Sequence, residues 1–320
     1  MRVAIVCPAP SGSRLGNRVT ALRWKKLLIE LGHRVVLTAG TLPRGPYDVL
    51  VALHARHSAE VVRLARVTNA NQPIVVALTG TDLYRDIKSD ASAQRSLALA
   101  DALVVLHDGG ALAVPREYRA KVHVIRQSAE AVARARARAG RFDVAFVAHL
   151  RAEKDPLRAA LAARGLPDDT RLRVLHAGRA LSDDFRVAAE AEQSSNPRYR
   201  WLGELSPKAS RALTARSQLL VLTSVMEGGA NVLGEAIVSG TAIVASRIPA
   251  TVSALGARYP GLFAVGDTAA LQRLFARAEG DPAFLAELRR QTRARRGLFS
   301  RAGEKAAWRA LLRELGRARG

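Results

Sequence analysis

The sequence predicts an α/β protein of two tandem domains, each a parallel sheet layered between helices, and three observations predict it. Short apolar runs alternate with helical patterns almost from end to end. The runs are apolar throughout rather than alternating, as strands covered on both faces are. The pattern lapses once, at residues 129–140 (AEAVARARARAG), and then restarts. With 320 residues, 48% hydrophobic and 24% charged, the chain is long enough for two buried cores. This is the pattern of two Rossmann-type domains.

In order, strands are expected at residues 2–7, 34–38, 48–53, 74–78, 102–106 and 122–125, with a helix at 18–31 on Val19, Leu22, Leu27 and Leu31. Residues 129–140 read as a linker. Strands resume at 143–149, 173–176, 200–202, 218–222 and 242–245, and Asp183-Asp184 opens a helix. The domains are therefore 1–130 and 140–300. Trp308, Leu311, Leu312 and Leu315 form one face of a last helix within 302–320. Open parallel sheets bind ligands beyond their C-terminal strand ends, which places the site in a cleft between the domains.

No apolar run reaches the length of a membrane span, and the N-terminus enters a strand without a signal-peptide core. The single cysteine, Cys7, excludes an internal disulfide framework and a cysteine zinc site. A soluble, cytoplasmic protein is expected. The formal charge is +22; residues 1–140 carry 21 basic and 10 acidic residues and the remainder 29 and 18, so each part contributes +11. The charge is spread out, and aromatics are only 5%, so no stacking platform for nucleic acid stands out and no specific nucleic-acid partner is expected. Anionic small molecules gain from the same field.

The most informative stretch runs from Glu227 through Gly228, Gly229, Ala230, Asn231 and Val232 to Glu235. A buried strand at 219–222 feeds a glycine loop, and the loop feeds a helix with Asn231 as expected N-cap. Free amides and the helix dipole favour a phosphate, and glycines allow close approach. A carboxylate is a poor phosphate ligand. Two of them, Glu227 and Glu235, flanking a phosphate cradle fit hydroxyls on both sides of a diphosphate, as in a sugar nucleotide. Arg151 and Lys154, three apart at an expected helix start, can converge on that diphosphate.

In the first half, the loop at 8–17 (PAPSGSRLGN) follows the first strand, with Gly12 and Gly16 in it and Asn17 and Arg18 at its end. It lacks the dinucleotide glycine spacing, and no acidic residue ends the second strand, so NAD is not expected. No aspartate pair reads as a metal site; no cofactor and no obligatory metal are expected. Further strand ends bring His54, Arg56, Thr79, Gly80, Thr81, Asp82, Arg85 and Gln127 to the same rim, together with Ser58 and Ser128. These donors suit an oxyanion acceptor.

The 227–235 stretch resembles the E-x7-E signature of retaining glycosyltransferases with the GT-B fold, two Rossmann-like domains facing each other across a cleft, a family that includes sucrose and glycogen synthases. The resemblance implies that Glu227 contacts the donor sugar, the loop amides the distal phosphate, Glu235 the ribose, and Arg151 and Lys154 the leaving diphosphate. It implies that strand ends at 176–178 and 202–205, Leu205 included, line the base pocket, and that the last helix crosses back onto the first domain. More narrowly, GNRVTALRW (16–24), LVALHARHS (50–58), VVALTGTDLYRDI (75–87) and the segment 226–256 resemble bacterial selenosugar synthases of selenoneine biosynthesis. That resemblance implies a UDP-sugar donor, typically UDP-N-acetylglucosamine, a selenophosphate acceptor, a new carbon–selenium bond, and neighbours in that pathway as partners. A transferase with a hydroxyl acceptor, a UDP-sugar epimerase or hydrolase, and a polyanion-binding protein remain alternatives.

Overall fold

The computed structural model describes residues 1–13, 15–133 and 140–317. Of the sequence expectations, Arg14 in the first loop, residues 134–139 of the expected linker and 318–320 of the last helix lie outside them. The chain divides into two compact units, Met1–Ser128 with Ser300–Gly320, and Ala129–Phe299.

The first unit holds β1 (Arg2–Cys7), β2 (Arg34–Ala39), β3 (Val49–Leu53), β4 (Ile74–Leu78), β5 (Ala102–Val105) and β6 (Val122–Val124) in the order β2-β1-β3-β4-β5-β6. The second holds β7 (Phe142–Val147), β8 (Leu172–Ala177), β9 (Tyr199–Trp201), β10 (Leu219–Leu222), β11 (Ala242–Ser246) and β12 (Leu262–Phe263) in the order β12-β11-β10-β7-β8-β9. Every pairing is parallel. β3, β4, β5, β10 and β11 are buried at every residue, which is why they are apolar without alternation. β12 has only two residues, too few to leave a periodic signal, and the sequence did not announce it.

In each sheet the strand order reverses once. The chain goes from β1 outward to β2 and then back to β3, and from β7 outward through β8 and β9 and then back to β10. The loops leaving β1 and β3, and those leaving β7 and β10, therefore diverge at the C-terminal ends and leave a crevice between them. Among the described residues no helix is long and apolar enough to cross a membrane.

The last helix, Arg301–Arg317, crosses back to pack in the first unit and closes one face of its sheet. Trp308 meets Trp24 edge-to-face with ring centroids 4.9 Å apart, and Leu311, Leu312 and Leu315 complete the buried stripe. The carboxylate of Glu304, 2% exposed, is the polar anchor. One oxygen accepts the Trp24 indole N–H at 3.0 Å; the other accepts the Ser128 amide at 2.8 Å and its hydroxyl at 2.5 Å. A buried carboxylate is tolerated only when hydrogen-bonded in this way. On the surface, Arg301 and Lys305 both engage Glu30.

Trp308→Ala removes a wholly buried indole and is expected to cost about 3–5 kcal/mol in denaturant unfolding. A loss under about 1 kcal/mol would mean that the helix does not anchor the first unit.

Candidate functional site

The residues expected to bind a donor come together at the point where the second sheet reverses. After β7 the chain forms an isolated bridge between Leu150 and Ala180 and then a single 3-10 turn, Ala152–Lys154, which ends at Asp155 in the left-handed region (φ 44°). This corrects the expected helix start: the α-helix begins only at Arg158. The segment after β10 is pinned against this turn. The Thr223 hydroxyl donates to the Lys154 and Asp155 carbonyls at 2.8 and 3.0 Å, and the Val225 amide donates to the Glu153 carbonyl at 2.9 Å. The Ser246 hydroxyl holds the Ser224 carbonyl from β11.

The result is direct contact between Lys154 and Glu227, 73 positions apart: the Nζ donates to Oε1, which also accepts the Ser224 hydroxyl at 2.7 Å. The Glu227 side chain is 7% exposed and that of Lys154 17%. Such a pair is worth little as a stabiliser, because desolvation offsets the attraction. Its meaning is positional. Arg151 stands at the base of the same turn, 41% exposed, with Glu153 at 3.8 Å.

Beyond Glu227, Gly228 is buried and Gly229, Ala230, Asn231 and Val232 are half-buried. The helix Asn231–Ser239 starts one residue earlier than expected. Its N-cap is Ala230, extended and without a side-chain cap, and Asn231 is the first helical residue. The cap offers no side-chain oxygen, so the start of the helix is not capped by a side chain, and the Leu233 amide turns back to the Ala230 carbonyl at 3.0 Å. Glu235 lies in the second turn, half-buried. Gly234 is a packing glycine: a Cβ there would meet the Phe299 ring at 2.8 Å.

The strand ends expected to line a base pocket divide. Leu205 is half-buried against the core of the second unit. His176 is 0% exposed and cannot touch a ligand, which corrects its expected place there. Its Nε2–H donates to the Ala148 carbonyl at 3.0 Å and its Nδ1 accepts the Tyr199 hydroxyl at 2.8 Å, which fixes a neutral tautomer. Gly178 is required by packing, since a Cβ would lie 1.7 Å from the Ala148 carbonyl oxygen.

In the first unit, Gly12 (φ 81°), Gly16, Asn17 and Arg18 follow β1. Gly16 opens the helix Gly16–Glu30, whose N-cap, Leu15, makes no side-chain cap bond. Arg18 is half-buried, and its Nε is shielded without a hydrogen-bond partner. The ends of β3 and β4 are stapled by Asp82. Its carboxylate accepts the amides of Ala55, Thr79 and Gly80, each at 2.9 Å, and is 0% exposed. Asp82 therefore shapes the rim rather than meeting a ligand. Gln127 is also interior, donating to Thr20 at 2.7 Å. Ser58 and Ser128 spend their hydroxyls on the Leu53 carbonyl and Glu304.

Two uncommon backbone features meet here. His54, which is not glycine, has φ 73°, and Asp82–Asp86 is a π-helix. The His54 Nδ1 accepts the His57 amide at 3.3 Å, so Nε2–H points to the Thr81 hydroxyl at 3.0 Å. Burial pushes the His54 imidazole below its ordinary pKa, against the pull of Asp82. The rim cations are paired. Arg85 lies 3.0 Å from Asp86, and Arg56 lies 3.1 Å from Asp90 and 3.9 Å from Asp86. The sequence showed the cations here but not their neutralisation, which the Asp86 and Asp90 carboxylates provide.

The family model for group 1 glycosyl transferases matches residues 126–295, more than half of the chain. No curated protein matches the sequence. Among solved structures, Alr3699/HepE of Anabaena in complex with UDP and glucose superposes with a TM-score of 0.77 at 15% identity, covering 98% of this chain and 100% of that one. Sucrose-phosphate synthase of Thermosynechococcus elongatus gives 0.78 at 15% identity, covering 99% of each. The UDP-forming α,α-trehalose-phosphate synthase of Burkholderia vietnamiensis gives 0.77 at 14% identity, covering 98% of each. At these identities the likeness shows a shared fold, the GT-B arrangement of two parallel-sheet domains.

Burial pushes the His176 imidazole down to about 4 from an ordinary 6.5. The unfolded chain takes up this proton first, so the contribution is complete above pH 6.5 and is lost as pH falls through about 4, a span of about 3 kcal/mol. In denaturant titrations the native protein is expected to lose about 3 kcal/mol more than His176→Asn between pH 7 and pH 4. Identical pH profiles would refute the assignment.

Proposed function

Because the chain belongs to the group 1 glycosyl transferases, we propose that it transfers the sugar of a UDP-sugar, UDP-N-acetylglucosamine, to selenophosphate. Selenium attacks the anomeric carbon, the carbon–selenium bond forms, and the bond from that carbon to the UDP oxygen breaks. Water then cleaves the selenium–phosphorus bond, leaving a selenosugar, UDP and phosphate. The observation that carries the donor half is the convergence of Lys154 and Glu227 on an uncapped helix start behind a glycine loop. The structural neighbours' complexes with UDP and UDP-glucose support a uridine nucleotide as the leaving group. The four sequence segments that resemble selenosugar synthases support the acceptor.

In this reading Arg151 and Lys154 neutralise the departing diphosphate, and the amides of residues 228–232 bind its distal phosphate. Glu227 turns from Lys154 to the sugar hydroxyls and orients the anomeric carbon. Glu235 holds the ribose and Leu205 borders the base. Gly12 and Gly16 let the first loop approach the donor. Asn17, Arg18, His54, Arg56, Thr79, Gly80, Thr81 and Arg85 face the acceptor. Selenophosphate is already an anionic, soft nucleophile, so a neutral His54 suffices as a hydrogen-bond donor and no strong base is required.

A hydroxyl acceptor is the second reading. It is favoured by one observation: Arg56 and Arg85 are paired with Asp86 and Asp90, which leaves the rim less cationic than an oxyanion acceptor prefers.

Mass spectrometry of purified protein with UDP-N-acetylglucosamine, with and without selenophosphate, separates the readings. A selenium isotope pattern on the sugar, with UDP released only when selenophosphate is present, is expected. Turnover on polyols with indifference to selenophosphate would establish the second reading. UDP release without an acceptor would mark a hydrolase or epimerase. Glu227→Gln frees Lys154 for the diphosphate, so kcat is expected to fall about 10²–10³-fold while UDP affinity holds or rises. A variant that keeps full turnover would remove Glu227 from the mechanism.

A further inference from the structure

A second concentration of positive charge lies at the other end of the second sheet. Glu227 and Lys154 follow the C-terminal ends of β10 and β7, whereas Arg141 precedes β7, Arg173 is the second residue of β8, and Arg216 ends the helix Pro207–Arg216 just before β10. In a parallel sheet these positions share the N-terminal edge. The register puts Arg173 beside Asp143, and Arg200 of β9 beside Leu175, all on one face. The four arginines line a recess of about 230 Å³. Through Arg173, Leu175 and Arg200 it continues into one of about 530 Å³, walled also by Pro197 and Trp201. The wider recess has the volume of a small-molecule site, and Arg141, Arg200 and Arg216 are exposed on the rim of the groove.

The charge here is not balanced from within. Asp143 is the acidic residue of the wall, and Arg173 holds it at 2.7 Å. Arg198 is engaged by Asp168 and by the Arg164 and Pro167 carbonyls. Among the described residues, Arg141, Arg200 and Arg216 have no hydrogen-bond or ion-pair partner for their side chains, and the Arg173 Nε is shielded without an acceptor. Three unpaired guanidiniums around one groove repel each other, and a multivalent oxyanion relieves that repulsion through forked hydrogen bonds.

We propose that this groove binds a compact multivalent phosphate, either an inorganic polyphosphate or the phosphate tail of a small organic phosphate, independently of the donor site. The arginine end takes the phosphates. The wider recess, with Leu175, Pro197 and Trp201, has room for an organic body.

Isothermal titration of the full chain with inorganic tripolyphosphate and with ATP, in about 0.1 M salt and saturating UDP, tests it. One-site binding is expected, unchanged by Lys154→Ala and weakened at least about tenfold by the Arg200→Glu/Arg216→Glu double variant. Tighter binding of ATP identifies the organic source, and equal or weaker binding the inorganic chain. Circular dichroism checks the fold, and Arg200→Gln/Arg216→Gln replaces a charge-reversed variant that melts early. The proposal is overturned by any of three results: loss of binding with Lys154→Ala, a double variant within about twofold of native, or binding of a single-stranded oligonucleotide that strengthens with length while tripolyphosphate does not bind.

Discussion

Parallel pairing is the constraint on which the rest of the structure depends. A parallel neighbour cannot be reached by a hairpin, so each strand must be followed by a crossover that returns the chain to the same starting edge. All strands of a sheet then end on one side, and every loop that follows a strand is delivered there. Where the strand order reverses, two such loops diverge and leave a crevice. In the second unit those are the loops after β7 and β10, which carry Lys154 and Glu227. The same geometry leaves the opposite edge free of this chemistry, and there the unpaired arginines gather.

Lys154 and Glu227 are placed by bonds to the main chain rather than by one another. Thr223 and Val225 lash the segment after β10 to the turn at 152–155, and Ser224 then receives Glu227. The lysine–glutamate contact is a consequence of that lashing. Without it, two side chains this far buried would gain little net from meeting, because desolvation offsets their attraction.

Much of this was legible in the sequence for one reason: strands buried on both faces must be apolar at every position, and the runs at 49–53, 74–78 and 242–245 are. The strand, glycine loop and helix start around Glu227 were legible because an apolar run, a glycine pair and a helical pattern follow one another there. What could not be read was direction. Asp82, Gln127 and His176 are polar residues near strand ends, as ligand-binding residues often are, yet all three turn inward to satisfy buried groups. The Asn231 cap was misplaced because an alanine took the extended cap position instead. The neutralisation of Arg85 depends on a π-helix that delivers Asp86 to the interior, and no period in the sequence marks a π-helix.

The first unit is discontinuous in the chain, and this bears on how the molecule comes into being. Its sheet is assembled from residues up to Ser128, yet the core around Trp24 is completed by the helix Arg301–Arg317. On the ribosome, more than 170 residues of the second unit emerge between the apolar face and its cover. During that interval the earlier half carries an open hydrophobic face and a Trp24 N–H that lacks Glu304. The continuous second unit meets no such delay and can finish folding first, although it is made later. The vulnerable period in the life of this protein is thus the time spent translating its middle, when the nascent first unit is the form most exposed to chaperones and to aggregation.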